Sequence, residues 1–255
     1  MPTDVIKYEH PLNERYRFFL RLECLFNLMT FHGERESSEN SHNALTALLD
    51  ILNVISRTDI KSETVKELDR ISGVLAPLTS RPGIEAGKLD EILSTLKQLS
   101  AQLRDIAGPI DHQIRKEELL KTLQQRSNIA GGLCDFDLPA YRYWLKQPPE
   151  RRFEDIKRWT EPLEPLQYAV ESILDLVRAS TSPEHKVAEN GVYKQSLDSK
   201  SPFQLIMVSL PASSRYFAEF SGSRHAFTIR FPDTNAEHAK PTDRDVEFDL
   251  SCCKL

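Results

Sequence analysis

The 255-residue chain has nine glycines, four cysteines and two tryptophans, and what it lacks narrows what it can do. Its one glycine pair, Ala-Gly-Gly at 130–132, has neither the Walker spacing nor a following Lys-Ser/Thr, so no nucleotide loop is legible. Cys24, Cys134, Cys252 and Cys253 show no repeated C-x-x-C spacing, which leaves them as ordinary thiols of a reducing compartment. The seven histidines form no H-x-x-x-H pair, and Ser213-Ser214 has no G-x-S-x-G context. Asp135 and Asp137 read as turn-bracing and helix-capping groups beside Pro139 and not as an acid/base pair. No apolar run approaches the roughly 18–20 residues of a spanning helix, and no signal-peptide core opens the chain. The net charge of −5 gives no general attraction to nucleic acid or anionic lipid. These absences predict a cytoplasmic protein without an active site, cofactor, metal or membrane partner.

A hydrophobic content of 40% and a charged content of 28% are those of a globular protein. Residues 4–8 read as a short strand stopped by Glu-His-Pro-Leu-Asn (9–13). Phe18, Leu22, Leu25, Phe26 and Met29 then recur at helical spacing, predicting a helix over 14–31. Residues 31–43 are polar and read as a loop, and Leu45 to Ile55 mark a second helix. Leu68, Ile71, Leu75 and Leu78, followed by Leu89, Ile92, Leu96, Leu99, Leu103 and Ile106, step at heptad spacing around the turn sequence 79–83. They predict a projecting antiparallel helical hairpin. Its seam is satisfied either within the hairpin or partly by a second copy of the chain.

The stretch 131–145 organises the rest. Gly131 and Gly132 permit a tight turn, Asp137 is the expected N-cap, and Tyr141, Trp144 and Leu145 share one helix face, which suggests a docking surface. Helices marked by Phe153, Ile156 and Trp159, and by Leu163 to Val177, follow. From residue 181 the pattern changes to strands at 192–197, 203–210, 216–221, 226–231 and 246–252. There Phe227, Ile229 and Phe231 alternate with polar positions, as in an antiparallel sheet with one wet face. Helices first and strands last predict an α+β fold: a mostly helical domain plus a smaller antiparallel β-domain.

Two sets of cations remain. Arg142, Lys146, Arg151, Arg152, Lys157 and Arg158 interleave with Tyr141, Tyr143, Trp144 and Trp159, a pattern that would suit single-stranded nucleic acid; the overall acidity weighs against it. Arg21, Arg57, Arg224 and Arg230 fall near segment ends or on the wet sheet face, where guanidinium forks suit a carboxylate-bearing peptide.

Seven stretches in order resemble the ZapD family of bacterial cell-division proteins, which associate with the FtsZ ring. They are Tyr-Glu-His-Pro-Leu-Asn-Glu (8–14), Leu-Arg-Leu-Glu (20–23), Lys-Glu-Leu-Asp-Arg (66–70), Gly-Gly-Leu-Cys-Asp-Phe-Asp-Leu-Pro (131–139), Ile-Leu-Asp-Leu-Val-Arg (173–178), Phe-Thr-Ile-Arg-Phe (227–231) and Phe-Asp-Leu-Ser-Cys-Cys (248–253). The resemblance implies a homodimer located at mid-cell on the division ring. A helical dimerisation domain of 14–115 and 150–180 would accompany a discontinuous β-domain of 1–13, 116–149 and 181–255 that carries the partner surface. Each protomer would bind the C-terminal tail of FtsZ, so that the dimer cross-links protofilaments and lowers FtsZ GTPase activity without catalysis of its own. The residues implied are Arg21 in Leu-Arg-Leu-Glu, Arg57 ahead of Lys-Glu-Leu-Asp-Arg, Arg230 in Phe-Thr-Ile-Arg-Phe and Arg224 just upstream. The family pattern also implies a basic residue near Glu118, for which Arg115, one turn earlier, is the substitute. Arg142 fits the local basic character.

Overall fold

The computed structural model describes residues 4–80, 85–198, 203–223, 225–235 and 242–255, without the side chains of 80, 86 and 135. The element order is β1 (Val5–Pro11), α1 (Glu14–Gly33), α2 (Ser38–Ser56), α3 (Ile60–Leu75), α4 (Ala86–Asp105), α5 (Glu118–Ser127), α6 (Pro139–Leu145), α7 (Pro149–Thr160) and α8 (Glu164–Ala179). Six strands follow: β2 (Glu184–Ala188), β3 (Val192–Ser196), β4 (Leu205–Pro211), β5 (Glu219–Gly222), β6 (Ala226–Arg230) and β7 (Val246–Cys253). The fold is α+β, as the order of periodicities predicts. Two compact units divide it, Met1–Leu20 with Leu174–Leu255, and Arg21–Ile173. Residues 116–149, expected with the β-domain, fall in the second unit, where α5 and α6 pack on α2.

In the first unit the strands make two antiparallel sheets, β1-β4-β7-β2 and β3-β6-β5, and not the single sheet the alternation implied. One core joins them: Phe231 meets Phe248 at 4.9 Å between ring centroids and Tyr193 meets Phe248 at 5.4 Å. Strand β2 carried no sequence signal strong enough to be predicted; it pairs with β7 from Glu184↔Leu250 to Ala188↔Val246. Strand β1 runs three residues beyond its expected end because Pro11 is harmless there. The Leu12 N–H bonds Gln204 O and the Ala212 N–H bonds Asp4 O, so even-numbered residues of β1 face β4. Pro11 therefore turns its N toward the open sheet edge, where no ladder bond is lost.

In the second unit the helical core is built from Leu45, Leu48, Leu49 and Leu52 of α2, Leu22 and Phe26 of α1, and Leu166 and Val170 of α8. The predicted loop at 31–43 is mostly helix. Ser37 caps α2, its side chain accepting from the Asn40 N–H, and polar residues 38–43 form the first turns. Within the hairpin, Leu68, Ile71 and Leu75 of α3 and Leu89, Leu93, Leu96, Leu99 and Leu103 of α4 are all buried, and Asp69 accepts from Ser100 Oγ at 3.0 Å. The seam is thus satisfied inside one chain. The turn expected over 79–83 lies mostly outside the described residues.

The 131–145 stretch departs from expectation in two places. Asp137 belongs to a short 3₁₀ turn, and Leu138 is the N-cap of α6, at φ −128° and ψ 76°. A proline drives the residue before it out of the helical region, so Pro139 fixes the cap at Leu138. The aromatic face is core and not a docking surface. Tyr141, Trp144 and Trp159 are buried, with Trp144 5.5 Å from Trp159 and its Nε1 donating to Asp155 at 3.0 Å.

Candidate functional site

Arg57 ends α2 as its C-cap, and two residues later Asp59 caps α3, accepting from the Ser62 N–H at 3.2 Å and Ser62 Oγ at 2.6 Å. This short corner sets Arg57 and Lys61 close in the chain, on either side of a helix start. Lys61 Nζ reaches across to Ile106 O at 2.6 Å and Gly108 O at 3.4 Å. Gly108, at φ +77°, takes a left-handed conformation that favours glycine, and it turns the chain back along the corner. Between these walls lies a cavity of about 530 Å³ lined by Arg57, Asp59, Lys61, Pro109 and Asp111 among others.

The electrostatics favour an anion. Asp59 is held below the usual carboxylate range by the Ser62 hydroxyl and amide. Asp111 is buried and takes the Nε of Arg115 one turn on, so its charge is answered within the site. Lys61 donates to carbonyl oxygens and also lies near the Asp59 carboxylate, where its charge adds to the Ser62 hydrogen bonds in lowering that group's pKa. The Arg57 side chain is exposed and makes no hydrogen bond or ion pair among the described residues, while its backbone N–H donates to Val54 O at 3.3 Å. A guanidinium with no side-chain partner among the described residues can take a carboxylate bidentately.

The structure therefore brings Arg57 and, through Asp111, Arg115 to one groove. Lys61, which the sequence reading missed, completes it; the signal was Asp59 as N-cap in Arg-Thr-Asp-Ile-Lys-Ser. Arg21 and Arg142 do not line this cavity: both are exposed, on α1 and α6. Arg230 lies in the other unit, exposed on β6, with Nη1 donating to Ser221 Oγ at 3.3 Å. Arg224 lies outside the described residues. A larger cavity of about 710 Å³ is lined by Glu39, His42, Gly131, Cys134 and Lys146 and mixes both signs of charge.

The cations of 142–158 are largely engaged elsewhere. Arg158 pairs with Glu117 and Asp155. Arg152 is only 4% exposed and donates to Ser41 Oγ, Leu145 O, Gln147 O and Glu36 O. Tyr141, Trp144 and Trp159 are buried and leave Tyr143 as the exposed aromatic of the four, short of the row of aromatics on which successive bases stack. No helix among the described residues is long and apolar enough to cross a membrane.

Comparison with known proteins agrees with the residue-level resemblance. A sequence model of the ZapD family, described as "Cell division protein", matches residues 20–230. The chain is 36% identical over 252 residues to the cell division protein ZapD of Methylococcus capsulatus, covering 98% of each chain. It is 37% identical over 252 residues to that of Nitrosomonas eutropha, covering 98% of this chain and 100% of the relative. It is 36% identical over 258 residues to that of Coxiella burnetii, covering 100% of both. The chain belongs to the ZapD family of cell division proteins.

Proposed function

We propose that the protein is a non-enzymatic, homodimeric cross-linker of FtsZ filaments that binds the acidic C-terminal tail of FtsZ at the α2–α3 corner. The observation that carries this reading is the unpaired Arg57 beside Lys61, at a groove whose two carboxylates are already answered. A tail carboxylate entering there meets the guanidinium fork, while apolar tail residues lie against Ile110 and Pro109, which also line the cavity. Arg115 acts indirectly: it holds the Asp111 carboxylate, which would otherwise repel the tail. Arg21, Arg142, Arg224 and Arg230 are proposed as further tail-binding cations on the strength of the family resemblance. The division ring at mid-cell is the place of action, and bundling there lowers FtsZ GTPase activity.

Co-sedimentation with FtsZ and GTP tests the reading, comparing full-length FtsZ with FtsZ lacking its tail. Pelleting with the full-length form alone is expected. Arg57→Glu should abolish it while leaving the fold intact, because the side chain is solvent-exposed and only the backbone caps α2. Equal pelleting with tail-less FtsZ would refute the tail as ligand, and wild-type binding by Arg57→Glu would remove the corner from the site. The rival, binding of single-stranded nucleic acid by 141–158, requires Tyr141 and Trp144 at the surface; they are core.

A further inference from the structure

Strand β1, Val-Ile-Lys-Tyr-Glu-His-Pro over Val5–Pro11, lies at one end of its sheet, and among the described residues its outer side meets no other strand. Its even-numbered residues turn their main-chain groups toward β4, so the N–H and C=O groups of Val5, Lys7 and Glu9 point away from the sheet. No backbone bond among the described residues takes them. An edge left in that state is a template for another strand. It is also apolar at its start, with Val5 45% and Ile6 43% exposed. Farther along, Arg178 of α8 fixes Glu9, its Nε and Nη2 donating to the two carboxylate oxygens at 2.7 and 2.8 Å.

We propose that this edge pairs with β1 of a second copy of the chain, antiparallel and centred on Tyr8. The strand is complementary to its own reversal about that residue. A twofold axis at Tyr8 sets Lys7 opposite Glu9 of the second copy, Ile6 opposite His10, Val5 opposite Pro11 and Tyr8 opposite its own counterpart. Opposite charges and aromatic or β-branched neighbours are the cross-strand pairs that stabilise a sheet. Lys7 and Glu9 both point their main-chain groups outward, so each such pair exchanges both ladder bonds. Pro11 has no N–H but offers its carbonyl to Val5, so the proline forfeits one bond at each end of the ribbon. The neighbouring registers fail. Centred on Lys7, two ammonium groups meet; centred on Glu9, two carboxylates meet, and like charges directly opposite are destabilising. The lysine that guards the edge against other strands thus admits its own in one register. The ribbon is short, so the contact is weak in dilute solution and forms where copies are crowded. It lies wholly in the first unit, and it goes beyond the proposed function without depending on the surface that joins the homodimer.

The test is the mass of the full chain by sedimentation equilibrium from about 1 µM to about 1 mM. Wild type should rise toward at least twice its own low-concentration mass. Lys7→Pro removes an outward N–H that β4 does not use, so the sheet keeps its bonds, and Lys7→Glu sets carboxylates against each other. Each should raise the dissociation constant of this step at least about tenfold, with circular dichroism unchanged. With Cys24 and Cys134 replaced by serine, Lys7→Cys protein mixed with Glu9→Cys protein should form a disulfide-linked pair under mild oxidant faster than Lys7→Cys alone. The Cα atoms of a bonded antiparallel pair stand about 5.5 Å apart, within disulfide reach. Equal linking by Lys7→Cys alone would mean another register and overturns the pairing. No rise in mass, or a rise that both Lys7 variants leave unchanged, overturns the interface and leaves the cross-linker reading standing. Tail-peptide binding should be the same in wild type and both Lys7 variants; its loss in them would mean that the edge takes the tail and would overturn the assignment.

Discussion

Replacing Arg152 by methionine keeps most of the apolar stem and removes the guanidinium, which isolates what that group does. Arg152 lies at the start of α7, 4% exposed, and its fork joins the approach to α2 to the end of α6. Nε donates to Ser41 Oγ at 2.9 Å, Nη1 to Leu145 O at 3.4 Å and to Gln147 O, and Nη2 to Glu36 O. No carboxylate pairs with it among the described residues, so the positive charge is carried by carbonyl dipoles, two of them at the C-terminal end of α6, where a cation is favoured. Hydrogen bonds to a charged group are worth about 1.5–3 kcal/mol each, but water entering the vacated space recovers part of that for the partly accessible carbonyls. Four acceptors at a net of about 1 kcal/mol each give an expected loss of about 3–4 kcal/mol, the upper range of single substitutions. Arg152→Lys keeps the charge but not the planar fork, and should lose about half as much. Urea unfolding followed by tryptophan fluorescence reads this unit selectively, because both tryptophans, Trp144 and Trp159, lie in it. If Arg152→Met unfolds within about 1 kcal/mol of wild type, the guanidinium is not the staple described, since even one orphaned buried carbonyl would exceed that.

Three further outcomes follow from local geometry. Gly132→Ala should lower stability by more than about 2 kcal/mol in the same urea assay, since its Cβ would stand 2.2 Å from Arg126 O, whereas Gly131→Ala, at φ +71°, should lose only about 1 kcal/mol; equal effects would contradict the reading of 132 as a close approach. His10 stacks on Phe220 at 5.2 Å with Nε2 buried and unbonded, and burial, then Arg17, push its pKa below the usual value. The unfolded chain therefore binds the proton more readily, so stability is full above about pH 6.5 and falls as pH drops through the folded pKa; NMR titration of His10 at or above 6.5, or the same acid dependence in His10→Phe, would refute this. Burial pushes the thiols of Cys252 and Cys253 up to about 11 and about 12, while Cys24 and Cys134 are exposed, so a thiol reagent at pH 8 should label two cysteines quickly and two slowly, and four equal rates in folded protein would contradict it.

How much of this was legible in sequence depends on whether periodicity or chemistry carried the signal. The strand positions of β6 and β7 were readable because Phe227 and Ile229, like Val246, Phe248 and Leu250, alternate with exposed or half-buried residues between them. Their division between two sheets was not, since alternation reports a buried face and says nothing of which neighbour supplies it. Residues 38–43 looked like loop because six mostly polar residues carry no apolar period; Ser37 with Asn40 was the cap signal that outweighed composition. The tryptophans show the reverse error. Aromatics among cations resemble a stacking surface until spacing is weighed: Tyr141 and Trp144 are three apart, on the one side of α6 that faces the core. Of the cations, sequence named Arg57 but not Lys61. It counted Arg152 as surface charge, because a buried arginine held by carbonyls leaves no trace in its neighbours.

On the proposed reading, the strength of the groove decides why a second copy is needed. A solvent-exposed ion pair contributes about 0–1 kcal/mol, so a tail that meets Arg57 and Lys61 at an open corner binds weakly, and salt weakens it further. Weak single attachment is useful at a filament that must still turn over, but it does not join two filaments. Two such sites on one rigid dimer change the arithmetic, because once one tail is held the second binds from an effective concentration set by the tether and not by the bulk, a gain of about 10²–10⁴. Specificity for polymer over free subunit then comes from tail density: adjacent subunits present many tails within reach, and a lone subunit presents one. On the proposed reading, tail recognition and dimerisation have separable duties. The corner fixes which peptide is held, and pairing of two copies converts holding into cross-linking.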